Sequence, residues 1–175
     1  MLYLAQQGDA NDWPAEHRDG QSLDFLVLAA RVEGLSPGVY WYRALNHALL
    51  PSRAGLSAAE TLELFVQEQF ASAPLVIWIA GDLAGACARH GAFGLRQLLL
   101  RAGAAGNRLW MAALGIGLAG CLVAGIIPGA ARRLLGLDGY RHASLLALSI
   151  GVEDKYLSRP LFRGDFSPGL SLPRE

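Results

Sequence analysis

The most constraining feature of the sequence is residues 92–139, where a long apolar segment runs into glycines and then into a second, shorter apolar segment. No charged residue lies between Leu109 and Ala131. The Leu- and Ala-rich part predicts a helix that ends near residues 115–117, because glycine costs roughly 1 kcal/mol relative to alanine inside a helix. A helix that is apolar nearly all round is buried in a protein core or in lipid.

Three further signals accompany this helix. Residues 121–127 are short, apolar and partly β-branched, which predicts a buried strand. Pro128 is suited to begin another helix because its missing amide would be unpaired there, and Gly136 is a plausible stop. The polar residues of the long helix fall on two narrow stripes, one with Gln97, Arg101 and Arg108, the other with Arg96 and Asn107.

Residues 109–131 are long enough to span a membrane, which takes about 20 apolar residues. Five glycines and a proline argue against a span. The segment also lacks a Trp/Tyr belt at both ends, and its flanking arginines give no positive-inside bias. A membrane-anchored protein is therefore the weaker alternative, and we expect the buried centre of a domain without membrane contact.

The length of 175 residues predicts a single domain over the whole chain. We expect a core over residues 22–151, a loop-rich N-terminus over residues 1–21 with a short strand at 2–5, and an extended tail over 152–175. The net charge of +0 gives no basic footprint for nucleic acid. The hydrophobic fraction of 53% suggests an apolar surface hidden in an oligomer interface.

The two cysteines, Cys87 and Cys121, have no motif spacing. We interpret them as buried small side chains rather than a disulfide or metal pair, which fits a reducing cytoplasm. The first residues carry neither a basic n-region nor a long apolar h-region, so they do not resemble a secretory signal.

The remaining elements alternate between strand and helix. Ser57 with Glu60 forms a capping-box pattern that opens a helix, which we expect to run to Pro74, and Asp82 opens a second helical segment. The apolar residues 75–80 predict a central strand. Further strands are predicted at 23–32, 39–43, 46–50 and 145–151. This order predicts an α+β fold with a central sheet and a buried long helix.

The residues alone contain no self-sufficient catalytic constellation. The four histidines, at positions 17, 47, 90 and 142, lie far apart without metal-ligand spacing, and surface or singly bonded histidines are the expectation for His17, His47 and His142. A Gly-rich dinucleotide motif, a P-loop and a Gly-x-Ser-x-Gly elbow are all absent. An enzyme of this kind would need a cofactor for the difficult chemistry.

Four sequence segments, taken in order, resemble the nitroreductase-like flavoproteins. They are RVEGLSPGVYWY, ASAPLVIWIAGD, HGAFGLRQLLLRAGAAGNRLWMAALGIGLAGCLVAG and LLGLDG. The resemblance is closest to the SagB-type dehydrogenases, which include azoline-oxidising subunits of peptide natural-product pathways, and it covers residues 23–151. It implies a nitroreductase-like fold with a mainly antiparallel sheet and a long central helix, and FMN bound at a dimer interface.

The resemblance also implies which residues meet FMN. Backbone amides of the strand after the long helix would face the flavin ring edge, and Arg96 matches an arginine early in that helix. Basic residues after the last strand would reach the phosphate, where arginine offers bidentate geometry. The strand residues are Val123, Ala124, Gly125 and Ile126, and the candidates for the phosphate are Lys155, Arg159 and Arg163.

Several positions depart from the family pattern. The Arg-Arg-Ser-type phosphate motif has no counterpart, and the Pro-Ser-Gly-Gly-like loop falls on residues 13–20, which read WPAEHRDG. The Lys-Tyr pair of azoline oxidation falls on Arg89 and His90, our candidate catalytic residues. The expected glutamate and histidine further along the helix are Arg101 and Ala104.

Two functions therefore stay open. One is an FMN-dependent oxidoreductase of a peptide-derived, azoline-type heterocycle, working as a homodimer. The other is a non-catalytic partner subunit in which FMN is lost, bound to a related flavoprotein or to a carrier-bound pathway. No metal is expected in either case.

Overall fold

The computed structural model describes residues 1–152. The predicted tail residues Lys155, Arg159 and Arg163 lie outside this part of the chain. The strands are β1 (Asp24–Ala29), β2 (Gly38–Arg43), β3 (Ala48–Ala54), β4 (Leu75–Asp82), β5 (Ala119–Val123) and β6 (His142–Gly151). The helices are α1 (Leu2–Asp12), α2 (Pro14–Arg18), α3 (Ala58–Leu62), α4 (Leu83–His90), α5 (Gly94–Gly115) and α6 (Pro128–Leu135), with short 3-10 helices at Glu68–Ser72 and Gly91–Phe93.

The strands form one sheet in the order β3-β2-β1-β4-β6-β5, and every neighbouring pair is antiparallel. The predicted α+β fold with an antiparallel sheet is therefore confirmed. The apolar strand β4 lies between β1 and β6, so its central position is also confirmed. Its residues are buried on both faces because helices cover both sides of the sheet.

Two apolar layers cover the sheet. On one face, the side chains of β1 and β4 pack with α1, α4 and α5, and Phe25, Ile79 and Leu98 are among the buried residues. On the opposite face, Trp78 packs with Phe65 and with the buried side of α6. The sheet therefore separates two groups of helices, and a residue on one group lies away from the other.

The long helix α5 ends at Gly115, where the glycines predicted it to end. It packs closely on α4, because a Cβ at Gly94 would lie 2.5 Å from the Ala86 carbonyl. Its length and central place are confirmed, but only one face is buried in the single chain. The opposite side, called here the bare face of α5, exposes Leu99, Leu100, Gly103, Trp110, Met111 and Leu114.

Residues 109–131 do not form one continuous helix. After α5 ends, the chain turns through Gly117, which has a φ of +78°, and forms β5 before α6 begins at Pro128. The single spanning helix considered as an alternative is therefore wrong for this stretch. Within residues 1–152, no helix combines the length and apolar character needed to cross a membrane.

The prediction of a loop-rich N-terminus with a strand at residues 2–5 is wrong. Residues 1–21 contain α1 and α2, although Gly8, Asp9 and Asn11 disfavour helix by propensity. No side chain caps the start of α1. The helix is instead held by tertiary packing on α5, and Ala5 and Asp9 are fully buried. Tertiary contacts here override a weak local preference.

A buried ion pair connects α1 to α5. The Arg101 guanidinium donates Nε to Asp9 Oδ1 at 3.0 Å and a second nitrogen to Asp9 Oδ2 at 2.7 Å. It also donates to the Gln21 carbonyl at 2.8 Å. Both side chains are at most 1% exposed. The polar stripe predicted on the helix thus faces α1 and α2, with Gln97 bonded to Glu16 and Arg108 to Asp12.

Two other boundaries differ from prediction. The helix that begins with the confirmed Ser57–Glu60 capping box ends at Leu62 rather than near Pro74. The chain leaves the helix because Val66 donates its amide to the Gly125 carbonyl at 2.9 Å and Phe65 forms an isolated bridge with Ile126. The predicted strand 121–127 is shifted to β5, and it is a half-exposed edge strand rather than a buried one.

The two cysteines also depart from expectation. Cys87 and Cys121 are both exposed and unpaired, because Cys87 lies on the outer side of α4 and Cys121 on the edge strand β5. The interpretation of both thiols as buried small side chains is therefore wrong.

Breaking the Asp9–Arg101 pair should destabilise the domain strongly. We expect Asp9→Leu and Arg101→Leu each to lower the free energy of unfolding by about 3 kcal/mol or more, because each leaves one buried charge unpaired. The double variant should lose less than the sum. Urea unfolding followed by circular dichroism measures all three.

The matched control, Arg108→Leu, removes a partly exposed pair on the same helices and should cost about 1 kcal/mol or less. Single losses no larger than this control would contradict the assignment.

Candidate functional site

The segment Val123–Ile126 lies where β5 ends and the chain turns toward α6. Val123 is the last residue paired with β6, and the Gly125 carbonyl accepts the Val66 amide. Within the described residues, the Gly125 amide donates to no backbone or side-chain acceptor. Gly125 itself is exposed. The segment therefore presents a backbone N–H group that could donate a hydrogen bond to a bound molecule.

A cleft of about 280 Å³ lies beside this segment. Its polar groups are the Arg132 guanidinium, which lies 5.0 Å from the Tyr140 ring centroid, and the Ser144 hydroxyl, which accepts from Trp78 Nε1. The cleft is lined by Ala124, Ile126, Pro128, Arg132, Gly139, Ala143, Ser144 and Leu145. The arrangement combines a small apolar floor with a few fixed polar groups, as ligand sites commonly do.

Gly125 fits a position where a flat ring approaches the backbone. A Cβ at Gly125 would meet Val66 at 3.6 Å, an ordinary contact, and its φ is not in the left-handed region. The chain's own packing therefore does not require glycine here. Glycine at this position instead leaves open space beside the backbone. The donor set and the open space fit the ring edge of a planar cofactor.

The predicted catalytic residues Arg89 and His90 lie on the other side of the sheet. They end α4, which packs with α5 in the layer opposite to Val123 and Ile126. Arg89 is paired with Asp19, and His90 Nε2 lies 3.6 Å from Glu16 Oε1. That nitrogen is buried and lacks a hydrogen-bond partner within the described residues. Within one chain, these two residues are therefore not brought together with the Val123–Ile126 segment.

Arg96, the predicted cofactor arginine, is exposed near the start of α5. Its guanidinium lies 5.8 Å from the Phe93 ring centroid, and both residues line a small surface pocket. Among the residues that the structure describes, no carboxylate lies within 4.0 Å of Arg96, so its guanidinium is available to a group outside them. No contact in the described residues joins Arg96 to Gly125.

A polar cluster that sequence reasoning missed lies at one end of the sheet. His142 Nε2 lies 2.6 Å from Asp24 Oδ2, although the two residues are 118 positions apart. The ring of Trp41 meets the His142 imidazole edge-on, with centroids 6.5 Å apart. The only sequence signal was an aspartate at the head of the apolar strand LDFLVLA. His142 was expected to be a surface or singly bonded histidine, and it has one side-chain partner, the Asp24 carboxylate.

The surroundings of Asp24 change its acidity. Burial raises the pKa of the Asp24 carboxyl above its usual range, the charge and hydrogen bond of His142 oppose that rise, and the neighbouring Asp82 adds to it. Asp82 is itself fixed, because it caps α4 by accepting the Gly85 amide at 2.9 Å. A histidine and two carboxylates in this arrangement can hold or move a proton. Among the described residues, no three His, Cys, Asp or Glu side chains are grouped to hold a metal ion.

Comparison with known proteins gives a family match over most of the chain. The model described as the Nitroreductase family matches residues 8–152. A search of the curated proteins found no match.

Solved structures share the fold at low sequence identity. A candidate nitroreductase from Anabaena variabilis is 24% identical over 87% of this chain, with a TM-score of 0.73. A chain of the Escherichia coli microcin synthetase McbBCD complex with truncated pro-MccB17 bound is 18% identical over 75% of this chain, with a TM-score of 0.65. A candidate nitroreductase from Ralstonia eutropha is 14% identical over 75%, with a TM-score of 0.56.

These matched proteins are longer than the chain described here. The chain covers 32% of the Anabaena chain, 52% of the Escherichia coli chain and 58% of the Ralstonia chain. Each share is below two thirds, so the likeness concerns only a part of each matched chain.

The Asp24–His142 contact should be visible in the titration of Asp24. We expect His142→Gln to raise the pKa of Asp24 further, because it removes the partner that opposes the effect of burial, and Asp82→Asn to lower it. Asparagine still caps α4, so the second variant keeps that helix start. Carboxyl-carbon NMR measures both shifts, with Glu60, whose pKa is held low by Ser57 and Arg53, as the internal reference. An Asp24 pKa that is unchanged in His142→Gln would contradict the contact.

The raised pKa of Asp24 also predicts how the stability of the fold depends on pH. Because the folded-state pKa of Asp24 is raised, its contribution to stability is present below the usual aspartate range and is lost as the pH rises through the folded-state pKa.

Proposed function

The chain belongs to the nitroreductase family, and on that premise we propose that it is an FMN-dependent oxidoreductase. The observation that carries the proposal is the free amide of Gly125 at the end of β5. This amide lies beside an open cleft, and the residue that carries it has no side chain. The family resemblance assigns this segment, Val123–Ile126, to the edge of the flavin ring.

FMN would supply hydride acceptance from the substrate. The chain's own contribution is electrostatic, because an amide aimed at the ring edge stabilises negative charge that develops there. The short connection from β5 to α6 holds this amide, since Gly125 and Ile127 are tied to Val66 and Leu64 by backbone hydrogen bonds of 2.9 and 2.8 Å. Such a donor is fixed before the cofactor arrives.

The phosphate end of FMN would be bound by arginines. We propose Arg159 and Arg163, with Lys155, for this role, on the basis of the family resemblance alone. Arg96 is a further candidate, and its exposed guanidinium fits a contact outside its own chain. Arginine suits phosphate because its planar group donates two parallel hydrogen bonds.

A second copy of this fold would complete the site. The bare face of α5 carries Leu100 and Met111 at 70% and 57% exposure, around the side-chain-free Gly103. Apolar patches of this kind mark interfaces between proteins. A partner docked there could also bring its own Arg89 and His90, as candidate donor and base, to a flavin held by this chain. In this arrangement, residues that lie on opposite sides of the sheet within one chain would meet across the interface between two copies.

The proposed substrate is a peptide-derived heterocycle of the azoline type, such as occurs in natural-product pathways. The similarity to a chain of the McbBCD synthetase complex, described with truncated pro-MccB17 bound, is consistent with a peptide-derived substrate. The oxidation removes a hydride and a proton from the ring, so a base is needed beside the flavin.

A second candidate function is a non-catalytic partner subunit. The observation that favours it is the pairing of Arg89 with Asp19 and the placement of His90 against Glu16. Both positions of the family's catalytic pair are thereby occupied in contacts with α2 and its end. In this alternative, the bare face of α5 binds an active flavoprotein.

Flavin binding tests the first proposal. We expect purified protein to keep FMN absorbance bands through gel filtration, and Gly125→Val to lose them while remaining folded by circular dichroism. The reason is that a valine side chain would occupy the open space that glycine leaves beside the proposed ring edge. The matched control is Gly115→Val, at an exposed helix end with open space around it. Loss of flavin in the control as well, or full occupancy in Gly125→Val, would contradict the assignment.

The phosphate assignment has its own test. Replacing Arg159 and Arg163 by alanine should weaken FMN binding by at least about tenfold, because each charge-assisted hydrogen bond contributes about 1.5–3 kcal/mol. Riboflavin, which lacks the phosphate, should bind the double variant and the native protein equally. An unchanged FMN dissociation constant would reject the role of both arginines, and a colourless native protein that ignores FMN would favour the partner-subunit alternative.

A further inference from the structure

A second cleft, at one end of the sheet, is separate from the Val123–Ile126 segment. It has a volume of about 540 Å³, in the range of small-molecule sites. Its walls come from α1, the start of β1 and the turn between β2 and β3. It is lined by Gln6, Ser22, Leu23, Asp24, Trp41, Tyr42, Arg43, Ala44, Leu45, Leu50 and Pro51. The family assignment gives this cleft no role.

Opposite charges lie on one wall of the cleft without meeting each other. Asp24 at the start of β1 and Arg43 at the end of β2 both line the cleft. Yet the salt bridges of the described residues pair Asp24 with His142 and leave Arg43 without a carboxylate within 4.0 Å.

Both charges can therefore receive a ligand. Asp24 uses Oδ2 for its contact with His142, and within residues 1–152 its Oδ1 accepts no hydrogen bond, so that oxygen is available to a ligand. The Arg43 side chain is exposed at the end of β2. A cation near Asp24 would also favour the ionised carboxylate, which burial and Asp82 otherwise disfavour.

The rest of the cleft is a fixed floor with an apolar rim. Ser22 Oγ lies 3.0 Å from His17 Nδ1, and His17 Nε2 lies 2.7 Å from the fully buried Asp9. The position of Ser22 is thus tied to the ion pair that anchors α1. On the rim, Leu45 is fully exposed and Leu50 is 37% exposed. Exposed leucines beside a polar cleft leave room for an apolar group of a ligand.

We propose that this cleft binds a free α-amino acid with an aliphatic side chain. Arg43 receives the carboxylate, Asp24 receives the protonated amine, and the apolar rim of Leu45 and Leu50 covers the side chain. Both charged residues line the same cleft, which favours a small ligand that carries both a carboxylate and an ammonium group. The site acts independently of the proposed flavin site, so binding requires no FMN.

Calorimetric titration of the full chain, without flavin, tests the proposal with three probes. L-Leucine carries both charges, N-acetyl-L-leucine lacks the amine charge and L-leucinamide lacks the carboxylate. We expect L-leucine to bind at least about tenfold more tightly than either derivative, since a hydrogen bond to a charged group contributes about 1.5–3 kcal/mol. Equal binding of the three probes, or no detectable binding of L-leucine, would overturn the proposal.

Two variants assign the contacts to residues. Asp24→Asn should weaken L-leucine about tenfold and leave N-acetyl-L-leucine unchanged, whereas Arg43→Gln should do the same for L-leucine and leave L-leucinamide unchanged. The control is Arg18→Ala, which removes an exposed arginine of α2 outside the cleft. A loss of affinity in Arg18→Ala equal to that in Arg43→Gln would contradict a specific site.

Location and independence have separate readouts. Amide chemical-shift changes on adding L-leucine should concentrate at residues 22–24 and 41–45, and changes centred on residues 123–126 would overturn the assignment to this cleft. Saturating FMN should leave L-leucine affinity unchanged. A protein that binds L-leucine but not FMN would reject the proposed oxidoreductase while supporting this site, so the two failures are distinguishable.

Discussion

The buried pair between Asp9 and Arg101 determines how residues 1–24, from α1 to the start of β1, are arranged. Arg101 lies inside the long helix, at a position surrounded by apolar residues, and its charge could not be buried there without an opposite charge. α1 supplies that charge and is thereby fixed on α5. His17 contacts the same carboxylate, and Ser22 contacts His17, so the entry into the first strand follows from the same interaction.

The antiparallel sheet then distributes the polar groups of the molecule. Arg89, His90 and the buried pair lie in one layer, whereas Val123 and Ile126, on either side of Gly125, belong to the other. The pair of Asp24 and His142 lies at the end of the sheet between them. The residues proposed for catalysis and those proposed for the flavin ring edge therefore do not meet within one chain.

Local signals predicted the elements that depend on local physics. The Ser57–Glu60 capping box, the Gly115 end of α5, the Pro128 start and the left-handed Gly136 end of α6 were all readable from sequence. Sequence patterns failed where contacts between residues far apart in the chain determine whether an element forms. α1 forms despite its glycine and aspartates because Arg101 needs Asp9, and the helix after Ser57 stops early because Phe65 and Val66 bond to residues 125 and 126. The partner of His142 was likewise unreadable, since 118 residues separate it from Asp24.

The bare face of α5 also has a consequence for how the protein behaves at different concentrations. If a second copy covers Leu100, Met111 and their neighbours, folding and association are coupled by mass action, and the midpoint of thermal unfolding rises with total protein concentration. Dilution would then act on the molecule as a mild denaturant. Because one side of α5 is buried and the other is exposed, the stability of the native state would then depend on what covers the exposed side.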